Sequence, residues 1–311
     1  MRHVIRRLAV VVGLVSAVAF AAPAAAITNG QPDNGEHPYV GQLFFYDPSY
    51  VDTRFTDPGG WFNCSGTLIS PTVVLTAGHC TFPTGLNGKS TSDGAGGNDT
   101  WVSFLETPDY NTLPPSADYI PDRNAQRYTD RVKWLNASKT WYRGTAYPHP
   151  LYDDNAFYLH DAGVVILDKP IKLAKYGKLP TLGYLDQFTG NDKAQTLFEA
   201  VGYGLTKSLP VGTEGGDSRL KSQQVIINDD GVYGTHDHSS IVFSNNNGQP
   251  HQGGTCSGDS GGPFFLNDTN LQVAVNSYGV PPNCTGGDGA YRIDQADDLD
   301  WLADVLAGNP R

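Results

Sequence analysis

Charge is thin on this chain. Of its 311 residues only 17% are Asp, Glu, Lys or Arg. Chains that stay disordered carry more charge and fewer aromatics than the 16 Tyr, 13 Phe and 5 Trp present here. Basic residues are the scarcer sign, 21 against 32 acidic, for a formal net charge of −11. The cationic footprint of a nucleic-acid binder is therefore missing. The 36 glycines follow no strict period, which excludes a collagen-like triple helix. No apolar run reaches the ~20 residues that a membrane span needs. Cysteine is limited to four residues with no C-x₂-C pair, which argues against a four-Cys zinc site. Helix-forming stretches are few. What remains is rich in Gly, Pro and aromatics and favours an all-β fold, in one large domain or two of about 150 residues each.

The first 26 residues stand apart. Arg2, Arg6 and Arg7 form a positive start, Leu8 to Ala22 is an apolar run of 15 residues, and Pro23-Ala24-Ala25-Ala26 supplies a small-residue cleavage pattern. This reads as a secretory signal peptide (residues 1–26), so the mature chain is expected to start at Ile27, outside the cell and free of the membrane. Its removal takes three Arg and no acid, leaving 18 basic and 32 acidic residues and a net charge of −14. Such a charge keeps a secreted protein dispersed. In an exported protein an even cysteine count argues for disulfides. Cys64, Cys80, Cys256 and Cys284 allow three pairings, and the spacings of 16 and 28 make Cys64–Cys80 with Cys256–Cys284 the economical one.

Short runs that read as strands recur between turn signals: Val40–Phe45, Gly66–Ile69, Thr72–Thr76, Thr100–Leu105, Gly163–Leu167, Ala200–Tyr203, Gln223–Ile227, Ile241–Ser244 and Leu271–Tyr278. Many short strands with Gly, Pro, Asn and Asp between them suggest a sandwich or barrels. Residues 83–98 and 107–124 read as long surface loops. One helix is expected, Asp294 through Leu306, with Leu299, Leu302, Val305 and Leu306 at helical spacing and Gly308 and Pro310 closing it. Its acids, Asp294, Asp297, Asp298 and Asp300, read as a solvated face. A composition shift over Lys169–Thr189 could separate a pair of halves of similar size.

The densest chemical signal is Gly258-Asp259-Ser260-Gly261-Gly262-Pro263. A nucleophilic Ser needs an exposed hydroxyl and backbone N–H groups near the developing oxyanion, and flanking glycines let the chain bend to present them. The same stretch matches the G-x-S-x-G elbow of α/β-hydrolases, but those place their catalytic His after the Ser. Here the last His is His251, so the base must lie upstream. Thr76-Ala77-Gly78-His79-Cys80 follows an apolar strand, with Cys80 fixing the backbone beside His79. Asp161 stands just before Ala162-Gly163-Val164-Val165-Ile166-Leu167, where a carboxylate can orient a His ring. Five other mature-chain His precede Asp161 or Ser260 closely enough to consider, His149, His160, His236, His238 and His251, and singly each reads as structural.

The order His79, Asp161, Ser260, in the contexts A-G-H-C, D-x-G-V-x-x-L and G-D-S-G-G-P, resembles the chymotrypsin/trypsin-like family of secreted serine peptidases. Ile27-Thr28-Asn29-Gly30, Cys64-Ser65-Gly66-Thr67-Leu68-Ile69, His149-Pro150-x-Tyr152 and Ser277-Tyr278-Gly279 extend the likeness over 27–311. The resemblance implies two six-stranded antiparallel β-barrels, about 27–175 and 190–292, with a C-terminal helix at about 294–306. It also implies a site between the barrels. Ser260 would be the nucleophile, His79 the base and then acid, and Asp161 the orienting carboxylate. The N–H groups of Gly258 and Ser260 would form the oxyanion hole. Ser277, Tyr278 and Gly279 would line the edge where an extended peptide adds as a strand. Two disulfides are similar to the bacterial branch of the family.

Two further expectations follow from the resemblance. A freed Ile27 ammonium would pair with Asp259 and order the oxyanion loop. The P1 pocket would have Gly254 at its floor, Thr255 beside it, and Gly279 and Gly289 on its walls, an open slot for a large apolar side chain. An alternative alignment would bring Asp288 into that pocket and favour Arg or Lys. Tyr278 stands where the family usually has Trp, and extra length sits at 47–60, 83–98 and 107–124. The implied activity is a secreted serine endopeptidase, with no metal or cofactor, acting as a monomer on protein or peptide substrates and restrained by a protein inhibitor. A catalytically silent homologue used as a binding module and an esterase are the rivals. His236-Asp237-His238 with His251 reads as an exposed polar loop rather than a metal site. Asn63, Asn98, Asn136, Asn267 and Asn283 begin N-x-S/T sequons.

Overall fold

A computed structural model describes residues 27–310 apart from 54–57, 92–95, 115–123, 189–194, 210–211, 217, 232–237, 246–252 and 280–282. The expected signal peptide, and His236, Asp237 and His251 of the polar loop, lie outside the described residues. A two-residue strand, β1 (Gln31–Pro32), leads into six strands: β2 (Val40–Asp47), β3 (Gly60–Leu68), β4 (Val73–Thr76), β5 (Thr100–Ser103), β6 (Tyr142–Pro148) and β7 (Gly163–Leu167). They close into an antiparallel barrel in the order β2-β3-β4-β7-β6-β5.

β4 and β7 show why the apolar runs in the sequence are continuous rather than alternating. Val74 and Val165 pack into the barrel core with Leu43, Leu68 and Val102. Their neighbours Val73, Leu75 and Val164 belong to the other face, with Trp301, Leu302 and Val305 of the C-terminal helix. Both faces are buried, so neither needs polar residues.

The second half is an antiparallel sheet of eight strands in the order β1-β11-β8-β14-β15-β16-β13-β12. It is built from β8 (Phe198–Gly202), β11 (Leu220–Gln224), β12 (Ile226–Asn228), β13 (Ser240–Asn245), β14 (Pro263–Leu266), β15 (Gln272–Gly279) and β16 (Gly286–Arg292), with a separate hairpin of β9 (Leu205–Leu209) and β10 (Gly212–Gly215). The expected second six-stranded barrel is thus an open sheet among the described residues. β11 and β12 are separated by Val225 alone yet lie near opposite ends of the order, so the sheet curls back on itself. Its core stacks Phe243 on Phe264 at 4.0 Å between ring centroids, with Phe198, Leu220, Ile241 and Val273 around them.

Where one helix was expected, the described residues hold three: α1 (Gly78–Thr81), α2 (Asn124–Ala137) and α3 (Ala296–Leu306). α2 departs most from expectation, since its sequence gave no clear helical signal. Its Leu135 is fully buried beside Phe44, Trp101 and Trp141, and the Arg131 guanidinium lies 5.5 Å from the ring centres of Phe44 and Trp61. α3 starts two residues later than expected because Asp294 is drawn out of it. The Asp294 carboxylate accepts from the Arg292 guanidinium and from Leu185 N–H. Asp294 and Asp298 are buried, which corrects the solvated-face reading of these acids. Both disulfides have the economical pairing, Cys64–Cys80 and Cys256–Cys284.

The turn after β1 is anchored by buried charges. Asp33 holds Arg219 at 2.8 Å and His37 at 2.6 Å, and His37 reaches Glu199 at 3.3 Å, which in turn meets Lys221 at 3.1 Å. Burial works to raise the Asp33 pKa, but the His37 hydrogen bond and the Arg219 guanidinium outweigh it and hold the group at about 2. The segment that follows Ile27 is thereby tied to β8 and β11.

Candidate active site

The pairing of β4 with β7, Thr76 opposite Gly163, brings the residues just beyond their ends together. One of these is His79 on the single turn α1, with Cys80 next to it bonded to Cys64 on β3. The other is Asp161, fully buried. One Asp161 oxygen accepts from the backbone N–H of His79 at 2.9 Å, and the other lies 2.9 Å from His79 Nδ1. Ser277 Oγ donates to that second oxygen at 2.5 Å. The ring and the backbone of His79 are both held by one carboxylate, so the imidazole has a fixed orientation. Burial works to lower the His79 pKa, but the Asp161 charge and hydrogen bond prevail and hold it above the ordinary value. A quarter of its side chain remains open to solvent.

Ser277 joins this network to an open cleft. A cavity of about 230 Å³ is lined by Ser260, Thr255, Asn276, Ser277, Tyr278 and Gly279, with the Cys256–Cys284 disulfide and Ser257. The expected strand edge and the expected nucleophile therefore face one space. The chain reaches Ser260 through Gly258 at φ +100° and leaves it through Gly261 at φ +74°, conformations that favour Gly. A Cβ on Gly261 would sit 2.0 Å from Thr76 Oγ1. Ser65 Oγ donates to the Gly258 carbonyl at 3.0 Å and accepts from Tyr203 N–H at 3.0 Å, fixing that peptide. Among the described residues, neither the Gly258 nor the Ser260 N–H is taken by another group.

Asp259 turns away from the cleft. Its buried carboxyl accepts from Gly204 N–H at 2.7 Å and Cys256 N–H at 2.9 Å, and burial pushes it up to about 7. Ile27 is fully buried, and Thr28 next to it bridges Gly254 with a 2.9 Å backbone bond.

The pocket residues divide. Thr255 and Gly279 line the cleft. Gly254 lies outside the lining, and the space a side chain would take there is filled by Asn245, whose Cγ would be 1.8 Å from the new Cβ. Gly289 backs the Tyr278 ring, which leaves 2.2 Å for a Cβ. Asp288 is buried, and its carboxyl is claimed by Thr255 N–H at 2.7 Å, Gln224 Nε2 at 2.8 Å and Asn245 Nδ2 at 2.9 Å. Burial lifts it to about 6 despite those donors. Ser65, Gln224 and Asn245 were not foreseen as parts of this region. Ser65 stands in the Cys64–Ile69 match but with no role read for it, Gln224 and Asn245 stand in no motif, and their partners lie 193, 64 and 43 residues away along the chain.

A family model described as Trypsin matches residues 123–301. The chain belongs to the trypsin family. The match contains Asp161 and Ser260, and His79 precedes it. Serine protease 1 of Drosophila melanogaster is 28% identical over 283 residues, covering 89% of this chain and 84% of the relative. Among solved structures, HL collagenase superposes with a TM-score of 0.57 at 19% identity, over 91% of this chain and 99% of that one. A scabies mite protein described as an inactivated protease paralogue superposes at 0.60 with 14% identity, over 92% and 99%. These two show the fold. As a trypsin-family member the chain is a serine-type endopeptidase, a hydrolase of protein substrates.

Proposed function

We propose that this endopeptidase works through His79, Asp161 and Ser260 by way of an acyl-enzyme. The observation that carries the reading is Ser277, which donates to Asp161 and lines the same cleft as Ser260. In the proposed reaction His79 takes the Ser260 proton as Oγ attacks the scissile carbonyl, and the carbonyl π pair moves onto its oxygen. The Gly258 and Ser260 N–H groups receive that oxyanion, each such donor being worth about 3–4 kcal/mol in the transition state. His79 then protonates the leaving amine, and a water repeats the sequence to release the acid. Asp161 keeps the His79 proton on Nδ1 and stabilises the imidazolium. An inactivated paralogue among the fold neighbours makes a silent binding module the rival reading. The retained His79–Asp161 geometry supports the enzyme.

For P1 we favour large apolar side chains. The described cleft lining contains no acid, and the three neutral donors on Asp288 occupy the carboxyl that a cationic P1 would need. Burying a Phe or Leu side chain gains about 2–3 kcal/mol, so Phe- and Leu-terminated nitroanilide peptides are expected to be cleaved at least tenfold more efficiently than Arg or Lys ones. The basic reading rests on the contact of Asp288 with Thr255, a cleft residue. Faster Arg cleavage, lost in Asp288→Asn, would establish it instead.

The chain is proposed to be exported and cut between Ala26 and Ile27, without a separate propeptide. The freed ammonium would pair with Asp259, a buried contact whose loss typically costs about 3–5 kcal/mol. N-terminal sequencing of active, secreted protein is expected to begin Ile-Thr-Asn-Gly. Full activity in a chain that keeps residues ahead of Ile27 would refute the pairing. The uncut chain carries a pH signature as well. Its Asp259 carboxyl sits at about 7 against an ordinary value of 3.8. A carboxyl raised in the folded state binds its proton more tightly there, so this contribution to stability is present below about pH 4 and is lost as pH rises through 7. Cleavage supplies the cation and should remove that loss.

A further inference from the structure

His149 follows β6, His160 immediately precedes Asp161, and Asp297 and Asp298 lie in the first turn of α3. The fold gathers all four. His149, His160 and Asp297 each offer one ligand atom, all within 4.8 Å of one another. The two imidazoles stack with centroids 5.1 Å apart, and Trp301 packs edge-on against His149 at 4.9 Å. His149 is 3% exposed, and its Nε2 lies 3.8 Å from Asp298 Oδ1. That distance is too long for a hydrogen bond. His149 Nε2 and Asp298 Oδ1 are buried polar atoms with no hydrogen-bond partner, and His160 Nδ1 lies 3.1 Å from Asp297 Oδ2. Buried polar atoms are ordinarily satisfied, so two unsatisfied ones facing each other call for an occupant.

The chemistry of the set says which occupant. Two imidazole nitrogens and a carboxylate are the donors of zinc-class ions. Asp298 is fully buried. The second three-residue cluster, Cys64, His79 and Cys80, is a different case, because its sulfurs are spent in the disulfide.

We propose that His149, His160 and Asp297, with Asp298 at the edge, form a site for one zinc-class divalent ion that clamps the β6–β7 connection to α3 beside Asp161. Ligand atoms about 2.0–2.2 Å from a tetrahedral zinc lie about 3.3 Å apart; His160 Nδ1 and Asp297 Oδ2 are already 3.1 Å apart, so only the wider pairs must close, by up to roughly 1.5 Å. His160 and Asp297 can make that movement, since their side chains are 30% and 42% exposed, and the same exposure is the entry path. One contact must yield. His149 Nδ1 accepts from Leu151 N–H at 3.2 Å. Metal on Nε2 sends the ring proton to Nδ1, and the Leu151 N–H turns to water in its exposed turn. His160 holds a left-handed backbone, φ +51°, and the ion would fix that residue, and with it the approach to Asp161.

The test uses the untagged mature chain, stripped with a chelator and titrated with Zn²⁺ by calorimetry and thermal melting. One equivalent should bind, and at a hundredfold excess over Kd the melting midpoint should rise by about 5 °C or more. Co²⁺ in its place should give the visible absorption of a tetrahedral nitrogen–oxygen site. Asp297→Asn, a change on a half-exposed helix position, should weaken Zn²⁺ at least tenfold with the metal-free midpoint unchanged. His160→Gln should do the same, and if it misfolds, Asp297→Asn carries the test alone. No binding below about 1 mM would mean that water fills the cluster, and binding that survives Asp297→Asn would place the ion elsewhere. Either result overturns the proposal.

Discussion

Ser260→Ala is expected to lower turnover of a peptide nitroanilide by about 10⁶-fold and to abolish labelling by a fluorophosphonate. The chain should fold as before. Its bend at this point is set by Gly258 and Gly261, and the Ser260 carbonyl, which accepts from Ser65 N–H at 2.7 Å, is untouched. Removing Oγ deletes one small polar atom at the cleft surface. The residual rate should still exceed that in water, because the Gly258 and Ser260 N–H groups and the cleft survive the change. An Ala variant that is labelled or turns over at the parent rate would take Ser260 out of the mechanism. A silent homologue predicts no labelling of the parent chain at all, so the same reagent separates the two readings.

Asp161→Asn should lower turnover by about 10⁴-fold. The carboxylate has two acceptor oxygens for three donors, namely the His79 backbone, His79 Nδ1 and Ser277 Oγ. An amide keeps the shape but puts an NH₂ where one acceptor stood. That NH₂ favours the His79 tautomer with its proton on Nε2, which cannot accept from Ser260. The pH profile gives a second readout. His79 must be neutral to act as a base, and Asp161 holds its pKa above the ordinary value, so parent activity should fall on the acid side with a midpoint above about 6.5. In the Asn variant that midpoint should move down. A variant with unchanged turnover and an unchanged acid limb would show that Asp161 does not govern the ring.

The candidate catalytic residues were legible because each sits inside a short motif whose backbone demands are local. β4 and β7 were equally legible, since aliphatic runs buried on both faces leave no polar residue to confuse the period. β16 was not. Gly286-Gly287-Asp288-Gly289 reads as a turn, yet it is strand, and Gly289 is required there by the Tyr278 ring across the ladder. β6 was hidden in the same way by Gly144 and Pro148. α2 gave no clear signal because Tyr128, Val132 and Leu135, though at helical spacing, stand among polar residues, and the apolar partners that justify the helix lie on β2 and β5. The acids of α3 show the limit most clearly. Asp294 and Asp298 look no different in sequence from Asp297 and Asp300, and only their partners on β16, Arg292 and Tyr291, decide that two of them are inside.

The buried anchor at Asp33 gives the chain a ruler. From Ile27 to β1 there are roughly five residues, at most about 17 Å when extended, and their far end cannot drift while Asp33 is locked to Arg219 and His37. An amine released at Ile27 is thus confined within that radius of the interior, at an effective concentration in the millimolar range or above. It would reach Asp259 as a tethered group and not as a free one. Each residue gained or lost at the cut would move the amine by about 3.5 Å, more than the length of a hydrogen bond. On the proposed cleavage the fold would therefore measure where the chain is cut, and a cut one bond astray would yield a protein that is short of its activity.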